Sequence, residues 1–503
     1  MKHTIKRSLC RLLALWTLLL ALCSGVFAAA EDDAQALCTL DVFRGTGGSF
    51  ELARASKRSE AAAMLVRLYG AETQAQALYA EGQLTQPFSD GEGWCAPYLA
   101  WLWENGLARG VSETRFGAEQ PCSARDYAVF LLRALGYRDG EDFTYQDAEA
   151  FAERCGFYSR LLFCGTFTRA ELARMTLLAL RCPTKGTTTT LLQALTDSGA
   201  IEKDAAAPLL AAQKTPQAKL EDGQIAVRES LWRQKKDELA LCVSFESEQA
   251  LLPGGEESLL PAQLEELAQP AEGGYVRLNP QALDEQIERW EQTYCTYDAP
   301  YYFDSYLKGS TPVSFLRCNY GIDREALQKA LLWMLFDLES GTVSAPVSCT
   351  DTSGRPFGLG DTYVEVDLDN QRLTYFKNGA LVISTPIVTG NLAAGHNTPT
   401  GLYYSHNRLR NCTLVGSDFR VFVKYWVSVI YDVIGLHDAS WRSAFGGEYY
   451  VNEGSHGCVN IPEAAMATIF NEIDDGTPVL IYGRNEWYQI GSEDSPVTGN
   501  PLH

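Results

Sequence analysis

The stretch that decides the reading lies near the C-terminal end. It is Gly435-Leu-His437-Asp438 and, after 17 residues that separate His437 from Ser455, Ser455-His456-Gly457-Cys458-Val459-Asn460. A cysteine nucleophile needs a base to take its proton, donors to receive an oxyanion, and a backbone that lets substrate come close. Each need has a candidate here. Gly457 has no Cβ, so it reaches dihedrals closed to other residues and leaves the space beside the sulfur open. His437 can take the thiol proton if its strand folds alongside Cys458, and Asp438 or its carbonyl can orient the ring. Histidine is scarce, six in 503 residues, and apart from His3 and His503 it falls at 396, 406, 437 and 456. Groups that titrate near neutral pH are therefore concentrated around this motif. The commoner fate of a free cysteine is to be a small buried hydrophobe. The other cysteines lack both an adjoining His-Gly and an upstream His-Asp, so they read as core filler or occasional disulfides, whereas Cys458 reads as a nucleophile.

Working outward, the texture from Thr362 is that of strands: Tyr363–Asp369, Arg372–Phe376 and Ala380–Val388, split by Asp-Asn and Asn-Gly turns. A mostly β domain over 361–483 follows. Within it stand Thr398-Pro399-Thr400-Gly401, the run His437-Asp-Ala-Ser-Trp-Arg442, and Phe445-Gly446-Gly447. With the Ser-His-Gly-Cys loop, these residues resemble the catalytic domain of L,D-transpeptidases of the YkuD type, in which a His precedes Ser/Thr-His-Gly-Cys, a variable residue and Asn or Arg. The resemblance implies a YkuD-like β-sandwich and acyl transfer on bacterial wall peptides. Cys458 attacks the carbonyl of the diamino acid in a tetrapeptide stem, expels the terminal D-alanine and holds the stem as a thioester. A second stem's amine then resolves it into a cross-link, while water as acceptor gives L,D-carboxypeptidase action. The same resemblance assigns His437 as base, Asp438 as its orienter, and the amides around His456, Gly457 and Cys458 as oxyanion donors. His456 either tunes the thiolate or holds the loop. Ser455 and Asn460 are expected as loop-fixing hydrogen-bond partners at the substrate-binding face. Tyr425, Trp426 and Trp441 are candidate cleft residues, although such aromatics more often belong to the core. Thiol chemistry requires no cofactor. A zinc site from His396, His406 and His437 is the rival, but there is no helical H-E-x-x-H pair and zinc leaves the cysteine loop unexplained.

The rest of the chain is long enough for several domains. With 42 Lys+Arg against 63 Asp+Glu, a net charge of −21 argues against a protein that coats nucleic acid. Fourteen cysteines are too dilute for a disulfide scaffold, and no C-x-x-C pair occurs. At the N-terminus Lys2, Lys6, Arg7 and Arg11 precede the uncharged Leu12–Ala30, and Ala28-Ala29-Ala30 stands before Glu31. Residues 1–30 are thus expected to be a secretion signal cleaved after Ala30, giving an exported wall or extracellular protein. The alternative is an uncleaved anchor, which would put the chain at the membrane. Leu22 before Cys23 departs from a lipoprotein box.

Residues 40–183 carry three helix-like echoes, Arg58–Gly70, Arg125–Tyr137 and Arg169–Arg181, each an Arg followed by apolar residues at helical spacing. With Thr168-Arg169-Ala170-Glu171, this block resembles surface-layer homology repeats. The resemblance implies docking onto secondary wall polysaccharide, with the polymer-contacting arginine mapped to Arg58, Arg125 and Arg169. Arg125 and Arg169 are the candidate polymer contacts, and Arg58 more readily snorkels over its own helix. Phe88, Trp94 and Tyr98 read as core. A linker with some helix is expected over 184–235, from its Thr run and Ala-Pro-rich stretch. Residues 236–352 form an α+β pattern, in which Gly274–Leu283 and Tyr320–Leu327 each read as a strand turning into a helix, with Asp323 as N-cap. This part resembles the peptidoglycan-binding module that often precedes such catalytic domains. The tail, 484–503, carries no motif. The expected whole is a multidomain enzyme with a helical repeat domain, an α+β middle module and a mostly β catalytic domain. The rivals are a non-catalytic wall-binding scaffold protein and an enzyme whose repeats bind protein.

Overall fold

The computed structural model describes residues 24–45, 48–246, 251–416 and 418–483. Most of the expected signal (1–23) and the tail from 484 lie outside the described residues. No helix among the described residues is long and apolar enough to cross a membrane. The chain divides into two compact units: one of 1–247, 253–294 and 322–346, the other of 248–252, 295–321 and 347–503.

The first unit is helical up to Gln213, with helices at Arg58–Leu68, Ala124–Ala134 and Arg169–Leu180, where the apolar spacing predicts them. The helix Ser24–Thr39 runs uninterrupted through Ala30, the expected cleavage point. Residues 184–235 are not a linker. The Thr run ends in Thr190, whose hydroxyl caps the helix Leu191–Asp197 by accepting from Gln193 N at 3.3 Å. The alanines that suggested a loose segment build the helix Lys203–Gln213, as the best helix former does. The strands Ala218–Glu221 and Gln224–Arg228 then join Tyr275–Leu278 and Ala268–Ala271 in one four-stranded sheet. Strand-to-helix transitions occur where expected, at Tyr275–Leu278 into Pro280–Thr293 and at Ile322 into Arg324–Asp337, where Asp323 accepts from Ala326 N at 3.1 Å.

The second unit takes residues from the expected middle module. The hairpin Thr296–Ser305 and Gly309–Ile322, with Val347–Asp351, forms a three-stranded sheet. Ser305 and Tyr482 share a hydroxyl hydrogen bond of 2.7 Å, Tyr306 N donates to Glu365, and Lys308 bridges Asp367 and Asp369. These long-range ties, invisible to local pattern, place 295–321 with the expected catalytic domain rather than with the expected module before it.

The mostly β domain is built from β1 (Tyr363–Asp367), β2 (Arg372–Lys377), β3 (Ala380–Pro386), β4 (Gly401–Tyr404), β5 (His406–Val415), β6 (Arg420–Ile430), β7 (Ile434–Asp438), α1 (Tyr449–Glu453), β8 (Val459–Ile461), α2 (Glu463–Glu472) and β9 (Pro478–Tyr482). One sheet has the order β3-β2-β1-β9-β4 and the other β5-β6-β7-β8. Asn378 and Gly379, both at positive φ, make the tight turn that the right-handed twist of a β2–β3 hairpin favours. Val364, Val366, Leu373 and Tyr375 of the first sheet, Val427, Leu436, Val459 and Ile461 of the second, and Met466 and Ile469 of α2 share one core. Burying each such aliphatic side chain contributes roughly 1.5–3 kcal/mol.

Candidate active site

The second sheet positions the chemistry through its pairing. β7 runs antiparallel to β6 and parallel to β8, so Trp426, His437 and Asn460 stand opposite one another on adjacent strands. Cys458 is the residue just before β8. The loop that presents it is tied at many points to the segment after β3. Ser455 N donates to Thr389 O at 3.0 Å, Asn391 N to Ser455 O at 2.8 Å, and Val388 and Asn460 exchange two main-chain bonds of 2.9 Å. Thr398, from the Thr-Pro-Thr-Gly run, donates through its hydroxyl to Gly457 O at 2.7 Å and accepts from Gly390 N at 2.9 Å. Ser455 Oγ donates to Cys458 O at 2.6 Å and accepts from Gly457 N at 3.0 Å, which makes it the loop-fixing residue expected. Gly457 has φ +118°, and a Cβ there would come within 3.1 Å of Ile434 Cδ1.

His437 is buried, 3% exposed. Its Nδ1 lies 2.8 Å from the main-chain O of Asp438 and donates to it. The lone pair therefore sits on Nε2. The Asn460 amide, turned so that both of its neighbours are satisfied, donates to that Nε2 at 3.1 Å, and its oxygen accepts from Arg442 Nε at 2.8 Å. Asp438 thus orients the imidazole, but through its carbonyl. Its carboxylate is occupied elsewhere: Oδ1 accepts from Tyr425 N at 2.8 Å, and Oδ2 is buried without a hydrogen-bond partner. The reason is strand alternation: with the His437 ring on one face, the Asp438 side chain points to the other.

Burial lowers the pKa of His437 and pushes the Cys458 thiol up to about 11. At rest the imidazole and the thiol are accordingly each neutral. The Sγ lies 3.7 Å from Val433 O.

A cleft of about 730 Å³ opens over this pair, lined among others by Trp426, Val433, Trp441, Arg442, His456 and Cys458. Trp426 is buried and Trp441 is 48% exposed, and each ring centroid is 5.9 Å from that of His437. Tyr425 is not a cleft residue: it packs against Phe470 with Arg410 over its ring, as the core reading has it. His456 is gripped at the mouth. Its ring lies between His396, at 4.6 Å, and Phe419, at 4.7 Å, and its Nε2 is 3.2 Å from Asp418 Oδ2. Asp418 and Phe419 belong to the tip of the β5–β6 hairpin and were not legible as site residues, because their relevance depends on where that hairpin tip comes to rest. Arg442 was legible only as part of the quoted run ending in it.

The arginines of the repeats fare differently. Helix capping fixes the register: Lys57, Ser123 and Thr168 are the N-caps, with Asp126 and Glu171 completing capping boxes and Glu60 accepting from Lys57 N at 3.0 Å. Arg58 and Arg169 are then first helical residues, whereas Arg125 is the second, so its mapping onto the other two is out by one position. Arg58 Nε donates to Phe116 O at 3.0 Å and its guanidinium pairs with Asp126 at 2.8 Å. Arg169, 6% exposed, donates to Phe50 O and Arg44 O, each at 2.8 Å, and pairs with Glu60 at 3.2 Å. Each therefore ties its helix start to a segment far away along the chain. Arg125 pairs with Glu149 at 3.0 Å, half-exposed. Arg169 also lines a cavity of about 240 Å³ with Arg44, Glu60, Arg67 and Trp94. Phe88 and Tyr98 are buried as expected, but Trp94 is 54% exposed and not core.

Residues 361–481 match the family model of the YkuD L,D-transpeptidase catalytic domain. Among solved structures the chain is similar to that of a mutant Enterococcus faecium L,D-transpeptidase, with 25% identity over 51% of this chain and 100% of the other and a TM-score of 0.28. It is also similar to the solution structure of the E. faecium catalytic domain, at 37% identity over 24% of this chain and 97% of the other, with a TM-score of 0.23. A Mycobacterium tuberculosis L,D-transpeptidase shares 20% identity over 27% of this chain and 65% of the other, with a TM-score of 0.22. No curated protein matches the chain. The second unit therefore carries an L,D-transpeptidase catalytic domain of the YkuD type.

Proposed function

We propose that this chain is an exported peptidoglycan L,D-transpeptidase that forms cross-links between diamino acid residues through a thioester on Cys458. The observation that carries the reading is the placement of Cys458 at the floor of the cleft and of His437 across paired strands, with the ring held in the Nδ1–H form by Asp438 O. In the acylation step the thiol sulfur attacks the diamino acid carbonyl while His437 Nε2 gives up its hydrogen bond from the Asn460 amide and takes the thiol proton. Collapse of the tetrahedral adduct breaks the bond to D-alanine, whose amine leaves with the proton from His437. In the second step the acceptor amine attacks the thioester, loses a proton to His437, and Cys458 leaves as the thiol. Because the Gly457 N–H is taken by Ser455 Oγ, the amides of His456 and Cys458 are left to receive the oxyanion. The neutral resting pair is suited to this sequence, since proton transfer accompanies attack rather than preceding it. The N-terminal repeats would hold the enzyme to an anionic wall polysaccharide at the cavity formed by Arg44, Arg67, Arg169 and Trp94.

Incubating the purified enzyme with disaccharide-tetrapeptide and separating products by liquid chromatography with mass spectrometry tests the reading. Cross-linked dimers with free D-alanine support it. Tripeptides alone make the enzyme an L,D-carboxypeptidase, and no turnover favours a non-catalytic scaffold protein.

A further inference from the structure

Arg442 is the one Lys or Arg that lines the Cys458 cleft. Its guanidinium is half-buried, and no carboxylate among the described residues lies within the 4.0 Å of an ion pair. Its Nε and one terminal nitrogen donate to the Asn460 oxygen at 2.8 and 3.2 Å, and that same terminal nitrogen also donates to the main-chain O of Glu453. The other terminal nitrogen makes no hydrogen bond among the described residues. A buried charge is normally paired, and here the hydrogen-bond acceptors are neutral, with the Glu453 carboxylate acting only from beyond ion-pair distance. Consistent with that, burial lowers the pKa of this guanidinium. The cleft's own carboxylates are committed elsewhere. Asp418 faces His456, and Asp432 accepts from Ser428 at 2.6 Å and Asn407 at 3.1 Å and lies 3.3 Å from His406 Nε2.

We infer that Arg442 is a substrate-binding residue whose unclaimed terminal N–H pair grips a carboxylate of the donor stem beside His437. This rests on the transpeptidase reading and deepens it. A carboxylate held there fixes the stem relative to the base, because Arg442, Asn460 and His437 form one hydrogen-bonded chain. A tetrapeptide stem offers two sources of the same chemistry: the terminal D-alanine carboxylate, which departs with the product, and a second carboxylate on the diamino acid, which stays.

The test compares the free-acid tetrapeptide with one amidated at the terminal carboxylate and one amidated on the diamino acid, using wild type, Arg442→Gln and Arg442→Lys. Amidating the gripped carboxylate should lower the wild-type kcat/KM about 10–100-fold, as loss of a charge-assisted hydrogen bond does. It should cost Arg442→Gln almost nothing, with Arg442→Lys in between. The arm that responds names the source. Equal losses in wild type and Arg442→Gln would overturn the inference and leave Arg442 as a clamp on Asn460. Binding of the same peptides to Cys458→Ala and to Cys458→Ala/Arg442→Gln separates this from the reading beneath it. An acid-over-amide preference that disappears with Arg442 upholds the inference even if wild type turns nothing over, whereas binding that ignores the carboxylates overturns it.

Discussion

The loop Ser455–Asn460 and the helix start Thr168–Glu171 carry the two sharpest motifs in the chain, and their polar side chains are put to opposite use. In the repeats, Arg169 is spent on two carbonyls and Glu60, and Glu171 pairs with Lys329 at 2.6 Å. In the catalytic loop the main chain does the holding, through Val388, Thr389, Thr398 and Ser455, and the thiol and the base are left facing a cleft. A motif thus reports which residues are held in place. Whether they are held for packing or for chemistry depends on what closes around them.

The widest separation between the two regions should come from Cys458→Ala, which removes the nucleophile and is expected to lower turnover by about 10⁴-fold or more without loss of folding, read by product mass spectrometry and circular dichroism. His437→Gln follows, with an expected loss of about 10²–10⁴-fold in kcat/KM for the missing proton transfer. The two substitutions together should cost little more than Cys458→Ala alone.

The pH dependence sharpens the contrast further. With the thiol pushed up to about 11, the protonated form is favoured, and at pH 7 only about one enzyme in 10⁴ is a thiolate. Iodoacetamide inactivation should therefore accelerate with pH up to about 11. A plateau reached between pH 6 and 8 would mean a preformed thiolate–imidazolium pair. His437, lowered by burial, should stay neutral into mildly acidic solution, so turnover should persist below pH 6.5.

Arg169→Ala should act on stability and on wall binding, and not on catalysis. It leaves Glu60 short of a partner and two carbonyls without donors, for an expected loss of about 2–4 kcal/mol in the helical unit by denaturant unfolding. Catalysis on soluble stems should stay within twofold of wild type. Arg125→Ala, which breaks a half-exposed pair, is the smallest effect, at most about 1 kcal/mol. A large loss there would restore Arg125 to the register it was first given.

What was legible follows the same divide. Periodicity and turn chemistry placed the helices from Arg58, Arg169 and Arg324 and the Asn378-Gly379 hairpin, because these depend on neighbours a few residues apart. The chemistry of Cys458 and His437 was legible because a glycine and two histidines crowd one cysteine. The failures all involve distance or direction. The hairpin was read as linker because the strand it pairs with, Tyr275–Leu278, lies more than 40 residues on, and the Ala-rich helix because Pro208 and its alanines were read as loose chain. Arg125 slipped by one position because the cap, not the arginine, sets the register. Asp438 was legible as the orienter through either its carboxylate or its carbonyl, and the carbonyl does it, since alternation sends the side chain to the other face. Asp418 and Phe419 reach the site only by the fold of a hairpin.

The central claim is that Cys458 carries the acyl group. The most direct measurement is the intact mass of rapidly quenched wild type and Cys458→Ala after mixing with disaccharide-tetrapeptide. The account predicts an adduct of the stem less D-alanine, mapping to Cys458 in wild type and absent from the variant. An adduct on another residue, or D-alanine release by the variant at the wild-type rate, would contradict it.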